Sequence, residues 1–398
     1  MCGYEELDCM LDDKWNYEIN EDKLEVTDDR DIGRVLVKID KMINKFDIGD
    51  VYFVGLSGRK CGEGKKIYRK LNIGYPDKLS LTSKVVDQFF RYFMSVRDYK
   101  RRGLLTVRAF SPNITAYMQW MDDVDRSIEA YDKVNKLNSV NCGESSDRDY
   151  TDLENRIYKC FMRLSDKINS PSFKKLKLKV KKTCDKNYRS MLSYIDKLFE
   201  KRSRLLVVRV DLSYKRKYND AMKKSILNNK DVGLEADEFE KVKSDMERLL
   251  RNRRNNTIFN GLLGYIWKLE YGVLRRYHFH VLFFFNSSTR CRDATIGENI
   301  GEYWSNEITE GRGAYFNVNG SSSHYQNDAR GQVHCTDGNA RNGLRHIASY
   351  FSKADYFMRL ELPKRFKGRK KINYRTMGKG QLQESVSNLG GRPRELGK

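Results

Sequence analysis

The chain has 398 residues, with 76 Lys and Arg against 54 Asp and Glu, a formal charge of +22 and an isoelectric point near 9.5. Its mean hydropathy of −0.73 and the lack of any apolar run of about 18 residues exclude a membrane-spanning protein, while 39% hydrophobic and 12% aromatic residues suffice for a core spread over two or three domains. The charge excess points to a polyanionic partner, nucleic acid first, with abundant Tyr and Phe as stacking surfaces for unpaired bases.

The N-terminal stretch MCGYEELDCMLDDKW is acidic and has neither the basic start nor the apolar run of a signal peptide. Its glycine is third, so it carries no myristoylation signal. The eight cysteines show no paired spacing and no Cys-x-x-Cys, which fits reduced thiols and a cytoplasmic location. The spacing predicts helices over RDIGRVLVKIDKMINKF and SLTSKVVDQFFRYFMSVRDYK. Between them, GLSGRKCGEGKKIY is Gly- and Lys-rich, but its glycine spacing and missing Ser/Thr are wrong for a phosphate-binding loop. Residues 1–135 form an N-terminal region without an assigned role. Residues 136–150, polar and small, read as a linker, and 151–201 as a helical segment with the basic run FKKLKLKVKKTCDK.

From 202 to 362 the pattern changes. SRLLVVRVDLSY reads as a buried strand, EADEFEKVKSDMERLLRNRR as a charged helix, and LLGYIWKLEYG and RYHFHVLFFF as two strands joined by a short turn containing Gly272. IGENIGEYWSNEI reads as a helix, AYFNVN and QVHCTD as short strands, and GLRHIASYFSKADYFMRL as a helix over 343–360. This order predicts an α+β domain: an antiparallel sheet, with helices on one face as the simplest arrangement. All five histidines fall within it. The tail over 363–398 is basic, Gly-rich and expected to be loosely ordered.

Strand alternation puts His278 and His280 on one face. If the turn after Glu270 has an odd number of residues, Glu270 faces His278 across the hairpin with Cβ atoms about 5 Å apart. Two imidazoles and a carboxylate would make a divalent-metal site, suited to Mn²⁺, Mg²⁺, Co²⁺ or Zn²⁺. The other reading is two core histidines bonded to backbone carbonyls beside an unrelated glutamate. On the later helix, Tyr350 and Lys353 are neighbours. A phenol with a pKa near 10 is a poor nucleophile unaided, and a nearby ammonium would stabilise its phenolate. His346 precedes Tyr350 by four and is expected on the same side, open between metal ligand, proton shuttle and plain surface residue.

A strand ending in Asp (VVRVDL), then His-hydrophobic-His, then Tyr-x-x-Lys on a later helix resembles the motif order of the HUH endonucleases. More specifically, LLVVRVDLSY, GYIWKLEYG, YHFHVLFFFN, IGEYWSNEITEGRGAYFNVN and GLRHIASYFSKADYFMR, from about 200 to 380, resemble the domain of inovirus-type replication initiation proteins, the YagK/YfjJ-like C-terminal domain. The resemblance implies a Rep-like sheet with a ferredoxin/RRM-like palm. It also implies Mg²⁺ or Mn²⁺ held by His278, His280 and Glu270, and Tyr350 attacking single-stranded DNA at a replication origin. A 5′-phosphotyrosine and a free 3′-OH would result, with Lys353 assisting, and rolling-circle replication of a phage or plasmid would begin. Some phage initiators carry two tyrosines one helical turn apart, whereas Ala354 stands four after Tyr350 here, which puts a two-tyrosine scheme in doubt. Arg209, Lys268, His346 and Arg345 are candidate DNA contacts, and Asp211, which fits the first strand motif, is structural or DNA-contacting. For residues 1–150, origin binding and recruitment of host replication machinery such as a helicase are equal expectations. A relaxase or single-strand transposase would share this chemistry. A non-catalytic nucleic-acid binder would share the charge and aromatics but has no need of the triad and tyrosine, and a structural RNA-packaging protein leaves the buried histidines unexplained.

Overall fold

The computed structural model describes residues 17–20, 23–26, 28–51, 53–54, 60–61, 69–70, 81–82, 84–101, 105, 108–139, 147–215, 232–272, 276–321, 329–360 and 375–382. The acidic start, the Gly/Lys-rich loop apart from its short strand residues, and most of the basic tail lie outside them.

The first body is mostly helical. β1 (Tyr17–Asn20) pairs with β2 (Lys23–Val26), and β3 (Phe53–Val54), β4 (Lys60–Cys61), β5 (Arg69–Lys70) and β6 (Leu81–Thr82) form a small antiparallel sheet. α1 (Asp28–Asn44), α2 (Lys84–Arg101), α3 (Pro112–Ser139) and α4 (Asp147–Asn169) surround one core, in which Phe89 and Phe161 pack edge-on and Trp120 lies against both. β7 (Arg108–Phe110) precedes α3. Helices enter the expected linker from both ends, since α3 runs to Ser139 and α4 starts at Asp147.

α5 (Pro171–Lys201) joins the two bodies. It starts sharply: Ser170 Oγ accepts from the Phe173 N–H at 3.3 Å, and Pro171 takes the first position, where its missing N–H costs nothing. Phe173 belongs to the first core, whereas Met191, Tyr194, Ile195, Leu198 and Phe199 belong to the second.

The second body is a six-stranded antiparallel sheet. β8 (Arg204–Tyr214), α6 (Val232–Asn252), β9 (Leu262–Gly272), β10 (Arg276–Asn286), α7 (Asp293–Tyr303) and β11 (Gly313–Asn317) follow one another. Then come β12 (Gly331–His334), α8 (Gly338–Phe357), β13 (Met358–Leu360) and β14 (Met377–Lys379). Spatially the order is β11–β8–β10–β9–β14, with β12 also on β8. Period-two alternation splits the apolar side chains between two faces. Tyr277, Phe279, Val281, Phe283 and Phe285 meet α6 and α7; Leu282 and Phe284 meet α5 and α8. Both faces are therefore covered, not one as expected. β10 is the reason: a strand buried from Arg276 to Phe285 has no face to offer water.

Three short segments depart from the sequence reading. α8 ends at Phe357 rather than at 360, because Met358–Leu360 pair with β7 of the first body. In the supposedly loose tail, Met377–Lys379 extend the sheet edge along β9. α7 gives way to a π-helical turn, Trp304–Ile308, anchored by Trp304 Nε1 donating to Ser213 O at 2.9 Å.

Close approach of α7 to β11 depends on glycine. A Cβ on Gly301 would lie 2.0 Å from the Tyr315 ring. Gly301→Ala is expected to destabilise by about 1–3 kcal/mol through overpacking, read as a lower urea midpoint; an unchanged midpoint would mean that α7 and β11 separate freely.

Among the described residues no helix is long and apolar enough to cross a membrane, and Cys160, Cys184, Cys291 and Cys335 are not joined in disulfides.

Candidate metal centre

The β9–β10 register sets His278 opposite Glu270 and His280 opposite Lys268, and the β8–β10 register sets His280 opposite Asp211. All five side chains thus rise from one face of the sheet, beneath α8. His278 Nε2 lies 3.9 Å and His280 Nε2 3.4 Å from Glu270 Oε2. One ligand atom from each of the three residues falls within 4.8 Å of the others.

The outer nitrogens are already engaged. His278 Nδ1 is 3.0 Å from the Arg276 carbonyl, and His280 Nδ1 is 2.9 Å from Asp211 Oδ1. A carbonyl and a carboxylate can only accept, so both Nδ1 atoms carry hydrogen and both Nε2 atoms turn towards Glu270. Arg209 Nη2 also approaches His280 Nδ1 at 3.4 Å. Since a guanidinium can only donate, we assign the shorter Asp211 contact as the hydrogen bond. Arg209 instead clamps Asp211 through Nε (3.1 Å) and Nη2 (3.3 Å). A ligating imidazole tied to a carboxylate through its other nitrogen is the usual second layer of a metal site.

Glu270 Oε1 is buried and has no hydrogen-bond partner. An orphan carboxylate oxygen beside two Nε2 lone pairs fits a divalent cation. Three protein ligands would also leave positions open for substrate. The alternative of two core histidines and an unrelated glutamate does not explain that oxygen.

Arg276 adds a constraint from across the sheet. Its φ is +50, a left-handed conformation uncommon for a side-chain-bearing residue. Its guanidinium pairs with Glu238 of α6 at 2.5 Å, both groups being buried. That pair holds the backbone whose carbonyl receives His278 Nδ1–H.

Tyr350 of α8 is 8% exposed, and its hydroxyl donates to Glu270 Oε2 at 3.1 Å. Burial, then the charge and hydrogen bonding of Glu270, push its phenol well above 10.0. Burial would raise the Glu270 carboxyl, but the His280 hydrogen bond and the charges of His280, His278 and Lys268 outweigh it and hold it at about 2. Burial opposes charge on His280, yet Asp211 and Glu270 prevail and raise it above 6.5.

The signs are definite for the metal-free protein. Stability from Glu270 is present above its ordinary 4.5 and lost as pH falls towards about 2. That from His280 is present below 6.5 and lost as pH rises through its raised value. Binding a cation requires His280 to give up its Nε2 proton. Mn²⁺ affinity is therefore expected to climb with pH through a midpoint above 6.5, with proton release visible by calorimetry in buffers of different ionisation enthalpy. Affinity unchanged across that midpoint would count against His280 as a ligand.

Other expected residues are distributed differently. Arg209, Asp211 and Lys268 are 3%, 5% and 1% exposed, so they form the floor of the centre rather than a surface for DNA. Arg345 and His346 are exposed on α8, and the cluster of possible ligands contains no His346. A shift of four residues turns a helix by about 40°, enough at the edge of the buried stripe to leave His346 outside. The side chains of Lys353 and Tyr356 lie outside the described residues. Arg276 and Glu238 escaped the sequence reading; a charged residue opening the most apolar strand was the available signal.

No curated protein and no solved structure matches the chain. Residues 168–361, from the end of α4 through β13 and including Glu270, His278, His280 and Tyr350, match the family model of the YagK/YfjJ C-terminal domain.

Proposed function

We propose that this protein is a metal-dependent, tyrosine-nucleophile endonuclease of the HUH type that nicks and rejoins single-stranded DNA at a replication origin. The observation that carries the reading is Tyr350 Oη, 3.1 Å from the same Glu270 oxygen that both histidines approach. A binding protein has no use for a phenol aimed at a ligand cluster. The strand order supports it too: in β8–α6–β9–β10–α7–β11, β10 lies between β8 and β9 and runs antiparallel to both, with both crossover helices on one face. That order favours the split βαβ arrangement of a ferredoxin-like palm.

In the proposed reaction, Tyr350 Oη forms a bond to phosphorus while the bond from phosphorus to O3′ breaks. The phenolic proton is lost and the leaving O3′ gains one, so a 5′-phosphotyrosine and a 3′-hydroxyl result. Reversal rejoins the strand without an external energy source. His278, His280 and Glu270 would hold the cation, Mg²⁺ or Mn²⁺, which would supply charge stabilisation for the transferring phosphoryl group. Glu270 orients the phenol; Asp211 and the Arg276 carbonyl fix the two imidazoles. Lys353, one turn beyond Tyr350 on α8, is assigned to charge balance at the phenolate. Exposed cations, Arg345 among them, are assigned to phosphate contact.

The test is incubation with Mn²⁺ and single-stranded DNA carrying the cognate origin, followed by a denaturing gel. A slower band resistant to boiling and lost with chelator is expected. Its absence with origin DNA and metal both present would sink the reading.

A further inference from the structure

A groove of about 900 Å³ runs between α5 and the β14 edge of the sheet. Three of its lining residues are cations, Lys179 of α5, Arg375 just before β14 and Lys379 at the end of β14, and none is a carboxylate. All three are exposed. Lys379 Nζ donates to Ser190 O and Oγ at 2.9 and 2.8 Å and stands over the Tyr194 ring, partners that leave its charge uncompensated. Burial, and after it the nearby Lys197, hold its pKa below the usual lysine value. Leu176, 50% exposed in the same wall, adds apolar surface.

The groove leads towards the metal centre. Met377 of β14 pairs with Lys268, and the Leu269 N–H donates to Thr376 O at 2.7 Å. Arg375 therefore follows at the Glu270 end of β9.

We propose that the α5/β14 groove binds the backbone of a single-stranded polynucleotide and leads it to the Glu270–His278–His280 centre. Charge complementarity selects the occupant: phosphates for the three cations, sugars and bases for Leu176. The proposal rests on the reading of that centre as a strand-cleaving site, but its test is independent of cleavage.

Binding is read by fluorescence anisotropy of a labelled oligothymidylate with the full chain in EDTA, so that no cleavage enters. Lys179→Glu with Arg375→Glu is expected to weaken binding about tenfold at low salt. It should also flatten the plot of log affinity against log salt by about 1.4, as two phosphates of the single strand are no longer neutralised. Lys241→Glu with Arg251→Glu, an equal charge change at exposed positions of α6 on the opposite face, is the control and is expected to change the slope little. Equal losses in both pairs, an unchanged slope in the groove pair, or an equal groove-dependent loss for a duplex would each overturn the proposal. Circular dichroism melts of both pairs verify the fold. Failure to form a covalent adduct would leave this result standing, so the two ideas can fail separately.

Discussion

Tyr350→Phe is expected to remove the covalent link to single-stranded DNA altogether while leaving the fold and Mn²⁺ binding in place. The substitution deletes one oxygen and keeps the ring, which lies 6.1 Å from the His280 ring and 6.2 Å from that of Phe351. Glu270 Oε2 loses the phenol as a donor but keeps His280 Nε2 at 3.4 Å. The stability cost is therefore about 1 kcal/mol, that of one hydrogen bond. The phenol is held protonated here, above 10.0, because it is buried against an anion. Offsetting the Glu270 charge with a cation would remove part of what raises it, so in the proposed reaction metal dependence and nucleophilicity would share one cause. The variant is compared with wild type on a denaturing gel, beside Mn²⁺ titrations of both. An adduct of undiminished yield from Tyr350→Phe would move the nucleophile elsewhere, with Tyr356 the next candidate.

The centre was legible in RRYHFHVLFFFNSS because a strand's alternation is rigid. Once His278 and His280 share a face, an odd-numbered connection from Glu270 suffices to bring the carboxylate opposite, and the ladder has that register. Alternation puts Arg209 and Asp211 on one face of β8, and the register with β10 turns that face to His280. Arg209 was an expected DNA contact and Asp211 a structural or DNA-contacting residue, whereas both are buried and their charges satisfy one another. What covers a strand is a tertiary fact that its own sequence does not carry. The same holds for β13 and β14: three-residue strands have no periodicity, and each exists because a partner edge, β7 or β9, was open to it. Arg276, left-handed in φ, pairs in the interior with Glu238, which precedes it by 38 residues, a partner its local sequence does not announce.

Asp211→Ala is expected to strike stability and metal affinity together. Asp211 holds the Arg209 guanidinium by two bonds and His280 Nδ1 by a third. Removing it strips that carboxylate from a guanidinium that is 3% exposed, for which breaking a buried pair costs about 3–5 kcal/mol. His280 loses the acceptor that fixes its tautomer, and loss of such a partner lowers metal affinity about 10–100-fold. A purely structural role predicts that the second effect follows from the first, so a second variant is needed to separate them. Replacing both partners, Arg209→Leu with Asp211→Leu, leaves no buried charge behind and is expected to recover much of the lost stability. It cannot recover the acceptor for His280 Nδ1. Urea unfolding and Mn²⁺ titration of the three proteins decide the matter: a double variant near wild-type stability with affinity still low identifies Asp211 as the residue that positions His280. Affinity restored along with stability would reduce the Asp211–His280 contact to packing.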